Sequence, residues 1–223
     1  MRAERARANA SFLPAGLEDV DPLRVGDPGE VTWLGQFTAT SYFWYALASA
    51  PNRTTAGVYT LGPTLITGAT ADRVWIGDSG TGEITVFDGA GKRVGRVTLP
   101  MPLRGFSDDA LDRARKRAVE SARDADDRAR FEALYDKSIR PRTAPAFTRF
   151  VTGPDGEMWV ELFEEDPAAA RRFVIFDRAG RAVAGVVVPP AVKLHDVGPD
   201  HVLGVHTDDD GIERVVQYRL ERT

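Results

Sequence analysis

Arg73-Val74-Trp75-Ile76-Gly77 runs into Ile84-Thr85-Val86-Phe87-Asp88-Gly89-Ala90-Gly91, and the figure returns as Glu157-Met158-Trp159-Val160-Glu161 followed by Phe173-Val174-Ile175-Phe176-Asp177-Arg178-Ala179-Gly180. Each copy then enters an apolar run that ends in proline, Val94–Pro100 in the first and Val183–Pro189 in the second. Short runs rich in Val, Ile, Phe and Trp, bounded by Asp and Gly, read as antiparallel strands joined by tight turns. A looser third copy, His201-Val202-Leu203-Gly204-Val205 and then Arg214–Leu220, sets Leu203 44 positions after Trp159. Matching turns precede the later copies, Gly153-Pro154-Asp155-Gly156 and Gly198-Pro199-Asp200.

A period in the low forties with several strands per unit is that of a β-propeller blade. Working outward, residues 107–139 break the β pattern. Ser107 is placed to cap a helix with Asp108 and Asp109 in its first turn, and alanine-rich apolar positions follow among many Arg and Asp residues. The expectation is a long surface helix or a helical pair, lying on a sheet, with a nearly charge-balanced solvent face. Upstream, Val31–Phe37, Ser41–Leu47 and Gly57–Leu61 read as further strands, and residues 1–29 as an irregular polar segment. The domain reading is therefore 1–29 irregular, then 30–223 as one all-β, propeller-like domain with a helical insertion at 107–139.

The turn and strand Pro154–Val160, the hairpin Val174–Arg181, the strand Val186–Pro189 and the closing His201–Leu220 together resemble bacterial six-bladed β-propellers of the NHL/TolB-like type. The likeness extends over about residues 65–220. It implies blades of antiparallel strands around an axis, and it says little about activity, because such folds serve as binding modules, sensors, scaffolds and hydrolases. With the insertion set aside, 223 residues hold three to four blades. Either a small ring closes, or the chain is the C-terminal part of a six-bladed protein. The second reading is preferred, because the first 30 residues look like a linker.

Composition narrows the function classes. The 29 basic and 33 acidic residues are interspersed and give a net charge of −4, which argues against nucleic acid and against a polybasic membrane patch. No cysteine is present, so disulfides, thiolate metal sites and cysteine nucleophiles are excluded. The N-terminal residues carry no apolar core of signal-peptide length, and Tyr42–Ala48 is too short to span a bilayer. The expected compartment is cytoplasmic by default, or outside the cell if further N-terminal sequence precedes this chain.

His195, His201 and His206, with Asp208 nearby, are the candidates for a metal site. Alternation sets against this, since His201 and His206 differ by an odd number and fall on opposite faces of a regular strand. Asp208-Asp209-Asp210-Gly211 lacks the distal Glu of a calcium loop and reads as a solvated turn. The Asn, Asp and Glu set of calcium-dependent lactonase propellers is not matched either, because Asn9 and Asn52 are the two asparagines. No nucleophile elbow, phosphate loop, dinucleotide fingerprint or His-Glu-x-x-His motif occurs. Trp75 and Trp159, at equivalent repeat positions, are expected between blades. Trp33, Trp44 and Tyr45 lack that period and are the candidates for a binding groove. The expected function is a non-catalytic binding or scaffold module without cofactor. Its partner would be a protein, a small ligand or another copy, met through a blade edge or the helical insertion. The alternatives are a metal-dependent hydrolase of a lactone, ester or glycan, or a truncated product.

Overall fold

The structure is a computed structural model that describes residues 24–25, 32–37, 42–58, 62–135 and 143–221. It consists mostly of antiparallel sheets. Two short strands, β1 (Arg24–Val25) and β2 (Thr32–Trp33), pair, and β3 (Tyr42–Leu47) and β4 (Ala50–Val58) form a hairpin. A first four-stranded sheet follows in simple order, β5 (Leu65–Ala69), β6 (Arg73–Asp78), β7 (Glu83–Asp88) and β8 (Arg93–Thr98). After helices α1 (Asp108–Glu120) and α2 (Ala125–Leu134) comes a second sheet of the same order, β9 (Phe147–Thr152), β10 (Met158–Leu162), β11 (Arg171–Phe176) and β12 (Ala182–Val188). A third sheet has three strands, β13 (Val192–Val197), β14 (His201–Thr207) and β15 (Glu213–Arg219). None of these sheets closes on itself.

The repeat is visible atom by atom in the turns. In Asp88–Gly91, Asp177–Gly180 and Asp208–Gly211 the aspartate carboxylate accepts two backbone N–H groups, from the residues two and four positions on. The glycine that ends each turn has φ of 77°, 79° and 78°, a left-handed conformation that a side chain would strain. Between the first two strands of each sheet, the N–H of Thr70, Gly153 or Gly198 donates to the carbonyl that opens the next strand.

Strand alternation gives the two four-stranded sheets two apolar faces and the third sheet one, and these faces meet in layers. Trp75, Ile84, Val86, Val97 and Leu99 of the first sheet pack against Phe147, Met158, Val160 and Phe176 of the second. On the far side of the second sheet, Trp159, Phe173, Ile175 and Val188 pack against Val192, Leu194, Val197 and Val202 of the third. The free face of the first sheet, carrying Ile76 and Phe87, is covered by Leu34 and Phe37. Strands β5, β9 and β13, the first of each sheet, lie side by side. The approach is close at Gly77, where a Cβ would come within 2.6 Å of Phe150 Cζ and 2.7 Å of Phe147 Cζ.

Three upstream expectations change. The run Val31–Phe37 supplies only the short β2, and Leu34–Phe37 is instead a non-strand cover for the first sheet, using apolar residues without ladder bonds. Asn52, which falls between the strand runs Ser41–Leu47 and Gly57–Leu61 expected from sequence, lies within β4, because a two-residue turn at 48–49 closes the hairpin and moves Pro51 and Asn52 into the strand. Of the run Gly57–Leu61, Gly57 and Val58 complete β4, whereas 59–61 lie outside the described residues, as do 1–23.

The insertion is a helical pair. Ser107 Oγ accepts from Ala110 N at 3.2 Å, and Asp124 accepts from Asp127 N at 2.8 Å to start the second helix. Only Ala110 and Leu111 of α1 are buried, and α2 lies against β3, with Leu134 packed on Tyr45. Ser49, in the β3–β4 turn, donates its N–H (2.8 Å) and hydroxyl (2.6 Å) to the Asp126 carboxylate.

Those two donors, the Ser49 hydroxyl first, hold the Asp126 carboxyl below its usual range. A carboxyl depressed in the folded chain contributes stability above its unfolded pKa, and the contribution is lost as pH falls through the folded value. The hairpin therefore loosens from α2 only at acid pH. The Ser49 amide resonance is expected to titrate with a midpoint below the ordinary aspartate value of about 3.9, and Asp126→Asn to abolish the titration. A midpoint at the ordinary value would contradict the contact.

Candidate functional site

Glu161 is an acid on a strand whose other residues are apolar. Its direct partner across the β9–β10 ladder is Arg149, and Arg171, at the start of β11, reaches it diagonally. The Glu161 carboxylate is 2.6 Å from Arg149 Nε and 2.6 Å from Arg171 Nη1, and its side chain is 5% exposed. Arg149 Nη1 donates to Leu194 O at 2.6 Å, and Arg171 Nε donates to Pro190 O at 3.2 Å. One carboxylate thus positions two guanidinium groups that tie the second sheet to the backbone of β13 and of the connection leading into it. Arg149 Nη2 is buried and meets no acceptor among the described residues.

The triad borders a cleft of about 360 Å³ that also takes in Thr148, Asp166, Pro167 and Lys193. A second cleft, about 490 Å³, adjoins it and shares Phe163, Glu164 and Asp166. The walls of the second are Met101–Ser107, Ala144–Ala146 and Phe163–Asp166. Its backbone is pinned. Ala144 N donates to Arg104 O (2.7 Å), Ala146 N to Ser79 O (2.7 Å) and Phe163 N to Ala146 O (3.2 Å). Ser79, fully buried, anchors Thr64 N through its hydroxyl at 2.8 Å. Phe106 meets Phe163 edge to face at 5.6 Å, and Ser107 donates its N–H and hydroxyl to Glu165, which fixes the entry to α1. The result is two adjoining clefts, the larger with an aromatic pair and a proline-lined wall, the smaller bordered by the Arg149–Glu161–Arg171 cluster.

The residues singled out from sequence are distributed differently. His195 is an exposed residue at the bulge in β13, between Leu194 and Asp196. His201 Nδ1 lies 2.9 Å from Asp200, a hydrogen bond that holds the Asp200 carboxyl below its usual range. His206 stands opposite Val192 and Arg214, and the unbroken β14–β15 register puts it on the other face of the strand from His201. Asp208 spends one oxygen on its own turn and faces Arg214 with the other at 3.0 Å. Among the described residues no three His, Asp or Glu side chains gather to hold a metal ion.

Trp33 (63% exposed) belongs to β2, whereas Trp44 (56% exposed) and Tyr45 fall on opposite faces of β3, with Tyr45 against Leu134. The arrangement does not gather the three into one groove. Trp75 and Trp159 are 0% and 1% exposed and lie in the two inter-sheet layers. Sequence reasoning passed over Arg149, Glu161 and Arg171. The available signal was an acid within an apolar strand flanked, on neighbouring strands, by arginines.

Among the described residues no helix is long and apolar enough to cross a membrane. No protein-family model and no curated protein matches the chain.

Proposed function

We propose that this chain is a binding module on a propeller-type arrangement of blades, of the kind seen in NHL/TolB-like proteins, and that it holds an extended segment of a partner protein in the groove beside the helical pair. Support for the blade arrangement comes from the shared strand order, the side-by-side first strands and the equivalent Trp75 and Trp159. The observation that carries the binding role is the groove itself. Three separately anchored backbone segments frame it, so little ordering is left to be lost on binding. The Phe106–Phe163 pair offers apolar contact in the larger cleft, and Arg149, Arg171 and Lys193 bring positive charge to the adjoining one. A strand-like peptide that carries both an apolar and an acidic residue suits this pair of clefts.

The test is selection of displayed random peptides on the full chain and on the double variant Phe106→Ala/Phe163→Ala. Enrichment of acidic–apolar peptides on the parent, lost on the variant, is expected. Failure to enrich, or equal enrichment on a variant with native circular dichroism, would remove the groove from consideration.

A further inference from the structure

The third sheet differs from its two sisters at one edge. In the first and second sheets a fourth strand lies beside the third, β8 beside β7 and β12 beside β11, whereas the third sheet has three strands and ends at β15. Among the described residues β15 pairs with β14 alone, over its full length and in an unbroken register. Two hydrogen bonds that flank this ladder fix which backbone groups of β15 remain. Asp208 N donates to Ile212 O at 3.1 Å, and Leu220 N donates to Asp200 O at 2.7 Å. Both pairs continue the register, and hydrogen-bonded pairs alternate along antiparallel strands. The even-numbered residues of β15 therefore bond to β14, and the N–H and C=O of Glu213, Val215, Gln217 and Arg219 point to the open edge. With no proline and no glycine in β15, each of these residues can both donate and accept, and an edge of this kind is a template for another strand.

The sequence of the edge complements itself. Turned about a two-fold axis at Val216, β15 sets Val215 opposite Gln217 and Glu213 opposite Arg219. Every outward N–H and C=O of the four residues then finds a partner, and the two Val216 side chains meet at the close, non-hydrogen-bonded position. Glu213 and Arg219 are exposed and meet no ion partner among the described residues, whereas Arg214 is held by Asp208 at 3.0 Å. Slippage by two residues is opposed in both directions, since one shift puts Glu213 opposite Glu221 and the other puts Arg219 opposite Gly211. The outer edges of β8 and β12 are also unpaired among the described residues. Each contains a glycine, Gly95 or Gly185, and β8 carries only positive charge while β12 carries none. Apolar surface adjoins the β15 edge, where Val187, Ile212, Val215 and Tyr218 are exposed and a cleft of about 210 Å³ lies between β12 and β15.

We propose that β15 is a dimerisation edge, at which two copies of this chain pair antiparallel, Val216 against Val216, and join their three-stranded sheets into one. The occupant is a second copy because the edge answers its own charge pattern. A contact carried by a seven-residue strand is smaller than a standard interface, so the dimer is a weak one, with a Kd on the order of 10 μM.

The test is sedimentation velocity of the full chain from below to well above that concentration, with a monomer–dimer equilibrium as the expected result. Gln217→Pro removes an outward N–H and no bond to β14, and is expected to abolish the dimer while circular dichroism stays native. Glu213→Arg and Arg219→Glu each set like charges opposite one another and are expected to weaken self-association at least about tenfold. Mixed in equal amounts, these two variants are expected to form a heterodimer with the affinity of the parent, which separates pairing from any effect on folding. The Val215 and Gln217 amides are expected to exchange slowly in the dimer and freely on dilution. A chain that stays monomeric throughout, a dimer indifferent to Glu213→Arg, or failure of the mixed variants to associate overturns the proposal, and these charge variants decide it should Gln217→Pro fail to fold. Slow exchange of the Val215 and Gln217 amides in a monomer also overturns it and assigns the edge to another segment of the same chain.

Discussion

Truncation of Trp159 to alanine is expected to destabilise the chain by about 3–5 kcal/mol, the range for removing a large buried aromatic side chain. The indole is 1% exposed, lies edge-on to Phe173 with ring centroids 6.3 Å apart, and fills the layer between the second and third sheets. Packing on both sides limits collapse, so the loss is both transfer energy and cavity. Trp75→Ala is expected at the lower end of that range, because its indole N–H makes no hydrogen bond among the described residues, whereas that of Trp159 donates to Glu157. The two variants are compared by urea unfolding, with stability read from the midpoint at constant m. Equal losses, or a greater loss at Trp75, would count against the asymmetry between the two layers.

Replacement of Glu161 by leucine is expected to cost about 3 kcal/mol, the low end for breaking a buried ion pair. The shape is nearly kept, but Arg149 and Arg171 lose the carboxylate between them. Partial exposure of the two arginines, at 24% and 36%, lets water screen the remaining charge, which is why the low end applies. The triple change Arg149→Met, Glu161→Leu, Arg171→Met is expected to recover most of the loss, since an apolar set of similar size carries no desolvation penalty. Failure of the triple variant to recover would mean that the hydrogen bonds to Leu194 and Pro190, and not the charges, hold the third sheet in place.

What could be read from sequence follows from which features are local. The turns Asp88–Gly91 and Asp177–Gly180 were legible because a left-handed glycine and an Asp that bonds its own backbone are encoded within four residues. The burial of Trp75 and Trp159 was legible because a repeat turns one local pattern into two independent observations. The start of α1 at Ser107 was legible for the same local reason, a hydroxyl placed to cap the first turn.

The Arg149–Glu161–Arg171 cluster was not, since its members sit on three strands and meet only once the β9–β10 register is known. The groove is built from the non-repeating stretches 101–107, 144–146 and 163–166, where no periodicity exists to be read. The separation of two of the histidines was legible too, from their odd spacing on one strand. They are neighbours in sequence, and the alternation of β14 sends His201 and His206 to opposite faces.

Layered burial sets how cooperatively the chain unfolds. Each apolar layer is shared by one pair of adjacent sheets, and no side-chain cluster spans all three. Energy is then passed from neighbour to neighbour, as in a linear array whose stability is a sum of units and interfaces. Such an array comes apart from its ends. Among the described residues the third sheet shares an apolar layer on one side only, while Val215 on its other side is 79% exposed. It is therefore the first of the three to exchange its amide protons, and the second sheet, held from both sides, is the last.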